Sequence, residues 1–213
     1  MVDVHTARRW YPPDDPVHGF EHVLRVYRLA ERLAQAEGAD LEIVRAAALL
    51  HDAQGGSQAG VQGERENHQQ ASADFAARVL QAEGWPAERI AAVQHCIRAH
   101  RFRQAGEPPA TLEAQVLFDA DKLDAIGATG VARALAYAMQ AGAPFYAPPS
   151  PGFVQTGELE AGEPHSAYHE YLFKLRKLAS RLHTASGRAL AHSRHRLMQA
   201  YFEHLAAEMD GEA

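Results

Sequence analysis

A histidine and an aspartate stand next to each other, as His51 and Asp52, at the end of the apolar run AAALL. Both side chains can bind a divalent cation. Because neighbouring residues on a helix point about 100° apart, the two can converge on one ligand only where the helix ends or beside a concave site. A simpler interpretation is a histidine that compensates the helix dipole beside a capping aspartate. The pair is therefore a candidate site that needs partners from elsewhere in the chain.

Two further residues are suited to serve as these partners. His22 lies in phase with the apolar face of GFEHVLRVYRLA, and Asp121 lies in the apolar surroundings of QVLFDADKLDAIG, where Asp119 is an alternative carboxylate. The other interpretations are a core histidine and a carboxylate paired with a lysine or arginine, since burying an unpaired carboxylate is costly. Two imidazoles and two carboxylates together suit a divalent cation. Mn²⁺ is the first choice, and Mg²⁺, Fe²⁺, Co²⁺, Ni²⁺ and Zn²⁺ are alternatives.

Helical spacing of apolar residues runs through almost the whole chain, with no alternating strand pattern and no internal repeat. The sequence therefore predicts an all-α fold, in which the second helix, apolar on most sides, is central. The stretch 54–67 is predicted to be a polar loop, and the proline- and glycine-rich stretch 143–166 a lid or wall. Helices are predicted at about 20–37, 41–53, 68–83, 86–100, 111–127, 129–141, 166–183 and 187–209.

The order of the four candidate ligands, with the contexts HVLRV, ALLHD and DADKLDAIG, resembles the HD-domain superfamily of metal-dependent phosphohydrolases. The later segments HSAYHEYLFKLRKL and GRALAHSRHRLMQAYFEHLAAE are similar to the C-terminal helices of one bacterial branch, which includes nucleotide pyrophosphohydrolases. The resemblance implies a single domain, with an HD-type helical bundle at about 18–127 and a C-terminal helical extension at about 128–213. It implies that the metal ligands are His22, His51, Asp52 and Asp121.

The resemblance also implies the reaction, which is cleavage of a phosphate ester or anhydride of a nucleotide or deoxynucleotide by metal-activated water. Some HD phosphohydrolases carry an acid shortly after the HD pair to handle the proton of this water, but HDAQGG contains none. Glu64 and Glu66 are replacements for it, and Asp52 itself could hold the water. His18, one turn before His22, would support a ligand or contact a phosphate; otherwise it is a surface histidine.

Five other side chains are candidates for substrate binding. Arg25, Lys122 and Lys174 would neutralise the charge that builds during phosphoryl transfer, unless they are ordinary solvated side chains. His68 and His100 would line the pocket and contact the substrate. The alternative for these two histidines is a second metal position, as in binuclear members of the superfamily.

Composition limits the partners. The net charge of −6 argues against a nonspecific nucleic-acid binder and favours a small substrate. The single cysteine, Cys96, excludes a disulfide framework and a thiolate zinc cluster, and favours the reducing cytoplasm. No apolar run reaches the roughly 18 residues of a membrane helix, and the start of the chain lacks the apolar region of a signal peptide. The expectation is a cytoplasmic enzyme without a membrane or nucleic-acid partner, of open oligomeric state.

Two other functions are compatible with the same residues. Some HD-fold proteins are di-iron oxygenases, for which His68 and His100 would supply the added ligands. A regulatory protein with a non-catalytic metal site would bind metal and ligand without turnover. Phosphate loops of the GxxxxGK[ST] type, GxGxxG nucleotide-binding motifs and GxSxG nucleophile elbows are absent from the sequence.

Overall fold

The computed structural model describes residues 2–12, 19–54, 68–101 and 106–212. Within these ranges the chain forms α-helices and short 3₁₀ turns but no strand, which confirms the predicted all-α class. None of the described helices is long and apolar enough to cross a membrane. The helices are α1 (Val4–Ala7), α2 (Phe20–Glu37), α3 (Leu41–Leu50), α4 (His68–Ala82), α5 (Ala87–Ala99), α6 (Leu112–Asp124), α7 (Gly127–Gln140), α8 (Pro151–Thr156), α9 (Ala167–Phe173) and α10 (Ala185–Met209).

The chain divides into two compact units. Unit 1 comprises Met1–Asp121 and Leu182–Gly187, and unit 2 comprises Lys122–Arg181 and Arg188–Ala213. In unit 1, α3 packs against α2, α4 and α5, and α4 packs against α5. In unit 2, α7 packs against α9. All the residues described below as the candidate metal centre belong to unit 1.

The start and end signals around α2 and α3 are those that the sequence predicts. Gly38 adopts the left-handed conformation (φ 78°) that ends α2, and its N–H donates to Ala34 O. The Asp40 carboxylate then accepts from the backbone N–H groups of Glu42 and Ile43 at the start of α3. Apolar side chains are buried on nearly every side of α3, as expected for a central helix.

The first turn of α10 belongs to unit 1 because the Asp119 carboxylate ties it to α6. Asp119 is fully buried, and its oxygens accept from His183 N at 2.8 Å and Thr184 N at 2.7 Å. The Thr184 hydroxyl donates to the same carboxylate at 2.6 Å and accepts from Gly187 N at 3.0 Å. These bonds occupy both oxygens of Asp119, which makes it an anchor for α10 rather than the alternative metal ligand.

Unit 2 departs from the predicted helices at two places. The predicted helix over 166–183 is broken at Lys174 (φ −123°, ψ −57°), after which 3₁₀ turns follow. Leu175 and Leu178 are nevertheless buried. Because a 3₁₀ turn repeats every three residues, its buried residues have nearly the spacing of an α-helix, which explains the prediction of a continuous helix. The stretch 143–166 contains the short helix α8, which is capped by Ser150, whose hydroxyl accepts from Phe153 N at 3.0 Å.

Candidate metal centre

His51 lies at the C-terminal end of α3 with its side chain fully buried. Its Nδ1 lies 2.8 Å from Ala48 O, and because a carbonyl oxygen only accepts, Nδ1 carries the proton and Nε2 keeps its lone pair. Burial, together with the neighbouring imidazoles of His100 and His22, lowers the pKa of His51 to about 4 against the opposing charge of Asp52. The imidazole is therefore neutral at neutral pH, as a metal ligand must be.

A first cluster of metal-binding atoms joins α2 with the end of α3. His22 Nε2 and His51 Nε2 lie 3.4 Å apart, and Asp52 Oδ2 lies 3.9 Å from the former and 3.6 Å from the latter. These three ligand atoms are all within 4.8 Å of one another. Asp121, on α6, adds a carboxylate oxygen 3.5 Å from His22 Nε2. The structure thus brings together all four residues that the sequence analysis named as ligands.

A second cluster lies on the other side of the Asp52 carboxylate. Asp52 Oδ1 lies 3.4 Å from Nε2 of His68, at the start of α4, and 3.6 Å from Nε2 of His100, which follows α5. The three atoms are again within 4.8 Å of one another. His100 Nδ1 lies 2.5 Å from Ile97 O, so Nε2 is the nitrogen that is available to a ligand, as in His51. These three ligand atoms lie close enough together that they could hold a second metal ion.

Asp52 Oδ1 is fully buried, and among the described residues it has only the long contacts to His68 and His100 and no well-directed hydrogen bond. Burial by itself raises the pKa of Asp52, but the neighbouring imidazoles, His51 first, outweigh it and hold the pKa well below its usual range. An ionised, buried oxygen without a hydrogen bond is costly. A cation bound between Asp52, His68 and His100 removes this cost, so the donor set fits a divalent metal.

The remaining predicted site residues lie at varied places. Arg25 is half-buried on α2, in unit 1. Lys122 and Lys174 belong to unit 2: the first is buried, and the second is exposed and pairs with Glu170 at 2.7 Å. The three other candidates, His18, Glu64 and Glu66, lie outside the described residues.

Two residues that the sequence analysis overlooked contact the backbone beside the HD pair. The Tyr11 hydroxyl donates to Leu49 O at 2.8 Å, and the buried Ser72 Oγ accepts from Gln54 N at 3.1 Å. Ser72 lies one turn after His68, a spacing that places both on one face of α4 and could have identified it. Tyr11 gives no such signal, because it precedes the prolines of YPPDD and belongs to no periodic segment.

Comparison with protein families gives a match to the HD domain over residues 19–126. The uncharacterized protein YpgQ of Bacillus subtilis (strain 168) is 32% identical over 197 residues, which cover 91% of this chain and 85% of that protein. The family match spans the helices that carry all six imidazole and carboxylate ligand groups.

Several solved structures are similar in fold to this chain along nearly its whole length. The crystal structure of B. subtilis YpgQ in complex with ADP superposes with a TM-score of 0.74 at 30% identity, covering 99% of this chain and 100% of that one. A protein from Lactobacillus plantarum gives 0.75 at 31% identity with the same coverage. An HD-superfamily hydrolase from Bacillus thuringiensis gives 0.67 at 26% identity, covering 97% and 94%.

Proposed function

The chain belongs to the HD-domain family, and from this premise we propose that it is a metal-dependent phosphohydrolase that acts on a nucleotide or deoxynucleotide. The observation that carries the proposal is the Asp52 carboxylate. One of its oxygens faces His22 and His51, and the other faces His68 and His100. A carboxylate shared between two sets of imidazoles is suited to hold two cations side by side.

The proposed ligands follow from these contacts. His22, His51, Asp52 and Asp121 would hold one ion, and Asp52, His68 and His100 the other. Bound divalent metal lowers the pKa of a coordinated water and polarises a phosphoryl oxygen. His68 and His100 thus serve as metal ligands in this proposal, where the sequence analysis preferred a role in substrate contact. Mn²⁺ remains the first choice of ion, and because a mixed set of imidazoles and carboxylates accepts several divalent ions, Fe²⁺, Co²⁺, Ni²⁺ and Zn²⁺ remain alternatives.

The backbone contacts of the imidazoles orient them for this role. In both His51 and His100 a main-chain carbonyl accepts from Nδ1, which fixes the tautomer and directs Nε2 toward Asp52. Arg25, Lys122 and Lys174 remain candidates for binding the phosphate charge. Glu64 and Glu66 remain candidates for holding the proton of the attacking water, with Asp52 as the alternative, and His18 remains a candidate for supporting a ligand or contacting a phosphate.

A nucleotide substrate is supported by one relative. B. subtilis YpgQ, at 32% identity over 91% of this chain, has been crystallised in complex with ADP. Similarity over nearly the whole chain, rather than over the ligand-bearing helices alone, favours a related pocket. We therefore propose that a nucleoside di- or triphosphate is the substrate and that the scissile bond is a phosphate anhydride or ester.

Metal counting and product analysis test the proposal. Wild type, His22→Ala, His68→Ala and Asp52→Asn would be loaded with Mn²⁺, desalted and analysed for bound metal. Each would then receive ATP, ADP and deoxynucleoside triphosphates, with phosphate and pyrophosphate assayed separately. Asp74→Asn is the matched control, because Asp74 is an exposed carboxylate of α4 that pairs only with Gln70 among its described contacts.

The variants are expected to differ in the number of metal ions bound per chain. His22→Ala and His68→Ala should each bind about one ion fewer than wild type, whereas Asp52→Asn should lose both ions and all turnover. The control should match wild type. Metal binding without release of phosphate or pyrophosphate from any nucleotide would contradict the hydrolase proposal and favour a regulatory binding protein. A wild-type chain that binds no metal would contradict the site itself.

A di-iron oxygenase is the second candidate, because His68 and His100 complete a set of six ligand groups around two positions. The discriminating measurement is iron content after growth in iron-supplemented medium, combined with oxygen consumption by the reduced protein. Two irons per chain with oxygen uptake, and no phosphate release with Mn²⁺, would select the oxygenase. Phosphate or pyrophosphate release without oxygen uptake would select the hydrolase.

A further inference from the structure

We propose that Tyr11 is a positioning residue, which holds the last turn of α3 so that His51 and Asp52 converge on the metal. The inference rests on the proposed function, since it concerns the same site. It assigns a role to the N-terminal segment 2–12, which lies before the residues matched by the HD domain at 19–126. Tyr11 acts on the candidate ligands through the backbone: its hydroxyl donates to Leu49 O and interacts with the backbone N–H of Asp52.

The end of α3 explains why a hydroxyl is needed there. The final carbonyl groups of a helix have no partner within the helix and must find one elsewhere. Ala48 O accepts from His51 Nδ1 at 2.8 Å, and Leu50 O accepts from Ala53 N at 3.2 Å. Leu49 O, between them, accepts from the Tyr11 hydroxyl at 2.8 Å. Tyr11 thus satisfies the carbonyl two residues before His51 and three before Asp52.

Tyr11 is held in place from both sides. Its side chain is buried, and its ring lies 5.7 Å from that of Phe20, the first residue of α2. Arg8 gives the same N-terminal segment a second contact with the start of α2, with its guanidinium 4.8 Å from the Phe20 ring and 3.3 Å from the Glu21 carboxylate. Phe20 is two residues before His22. The Tyr11 side chain therefore contacts the start of α2, which carries His22, through its ring, and the end of α3, which precedes His51 and Asp52, through its hydroxyl.

Small movements of this turn matter because metal sites tolerate little error. Ligand distances in protein metal sites are held to about 0.2 Å. His51 belongs to the first cluster and Asp52 to both, so a shift of this turn disturbs both positions together. Groups that orient metal ligands through hydrogen bonds change metal affinity by about 10- to 100-fold when they are removed. Tyr11 contacts the backbone of this turn and not the ligand side chains, which places its expected effect at the lower end of that range, about 10-fold.

The test is the substitution Tyr11→Phe, which removes the hydroxyl and keeps the ring. Binding of Mn²⁺ would be measured by calorimetry, and the site would be filled with Co²⁺ to record its visible absorption spectrum, which reports ligand geometry. Tyr171→Phe is the matched control: Tyr171 is a buried tyrosine of unit 2 whose ring stacks on Phe202 at 4.5 Å. Circular dichroism and the melting temperature of the metal-free proteins would be recorded for all three.

The expected result is a dissociation constant for Mn²⁺ about 10-fold higher in Tyr11→Phe, with an altered Co²⁺ spectrum and an unchanged circular dichroism spectrum. Tyr171→Phe should keep wild-type affinity and spectrum even if its melting temperature falls. Affinity within twofold of wild type in Tyr11→Phe, or equal weakening in both variants, would overturn the inference while leaving the proposed function intact. A wild-type chain that binds no metal would overturn both.

Discussion

The substitution Gly187→Ala should destabilise unit 1, although alanine favours helices. Gly187 lies in the first turn of α10, where an added Cβ would stand 2.4 Å from Asp119 Oδ2 and 2.7 Å from Thr184 Oγ1. Distances this short are well inside van der Waals contact, so the carboxylate or the hydroxyl must move. Both are buried and bonded to each other at 2.6 Å, which leaves them little room.

Two opposing contributions decide the sign. Replacing glycine by alanine within a helix gains about 1 kcal/mol of helix propensity. Overpacking costs about 1–3 kcal/mol, and each hydrogen bond to the displaced carboxylate is worth about 1.5–3 kcal/mol. Asp119 Oδ2 accepts two such bonds from Thr184, from its backbone N–H and its hydroxyl. If one of these two bonds is lost, the net expectation is a loss of about 1.5–5 kcal/mol in the free energy of unfolding.

The assay is urea unfolding followed by circular dichroism in the presence of a chelator, so that metal binding does not contribute. A double-mutant cycle with Asp119→Ala identifies the cause. With the carboxylate removed, Thr184 can turn away, and Gly187→Ala should become neutral or stabilising by up to about 1 kcal/mol. Additive losses in the double mutant, or no loss in Gly187→Ala alone, would refute the steric explanation.

Two further predictions concern titration and thiol reactivity. Desolvation raises the pKa of Glu163, but hydrogen bonds from Ser150, Glu160 and His169 outweigh it and lower the pKa to about 2. The stabilisation of the folded protein by ionised Glu163 is complete above pH 4.5 and is lost as the pH falls from 4.5 toward 2. Between these pH values the melting temperature should therefore depend less on pH in Glu163→Gln than in wild type. Equal slopes of melting temperature against pH in the two proteins would contradict this prediction. Burial, together with the charge of Glu113, raises the pKa of the fully buried Cys96 thiol. Because the thiolate is the reactive form, iodoacetamide at pH 8 should not alkylate Cys96 in the native protein but should alkylate it completely in urea, as measured by mass spectrometry. Labelling of native Cys96 at the rate of the unfolded chain would contradict its burial.

Local signals were sufficient for much of the fold. The start of α3 at Asp40 and the end of α2 at Gly38 follow from capping chemistry, which involves only neighbouring residues. The same reasoning was wrong over 166–183, where Lys174 breaks the predicted helix and 3₁₀ turns bury the apolar residues instead. It also passed over α8, although Ser150 followed by proline is a recognisable helix start.

The first cluster of the candidate site was predictable because residue type and apolar surroundings mark its members individually. His22, His51 and Asp121 each lie within an apolar helical segment, where a polar side chain needs a partner, and the structure places them with Asp52. His68 was harder to assign, since its sequence neighbours are polar and are as consistent with substrate contact as with metal binding. His100 was also hard to assign, because it follows the end of its helix and its sequence neighbours do not show which way its side chain faces.

The amino-acid sequence by itself determined the all-α class and the main helices of unit 1, because helix periodicity and capping act over a few residues. It also singled out the four candidate ligands of the first cluster by residue type and apolar surroundings. Only the tertiary structure decided that His68 and His100 face the second oxygen of Asp52. It also decided that Asp119 anchors α10. These contacts join residues far apart in the chain, and their geometry depends on how the helices pack, which no local pattern records.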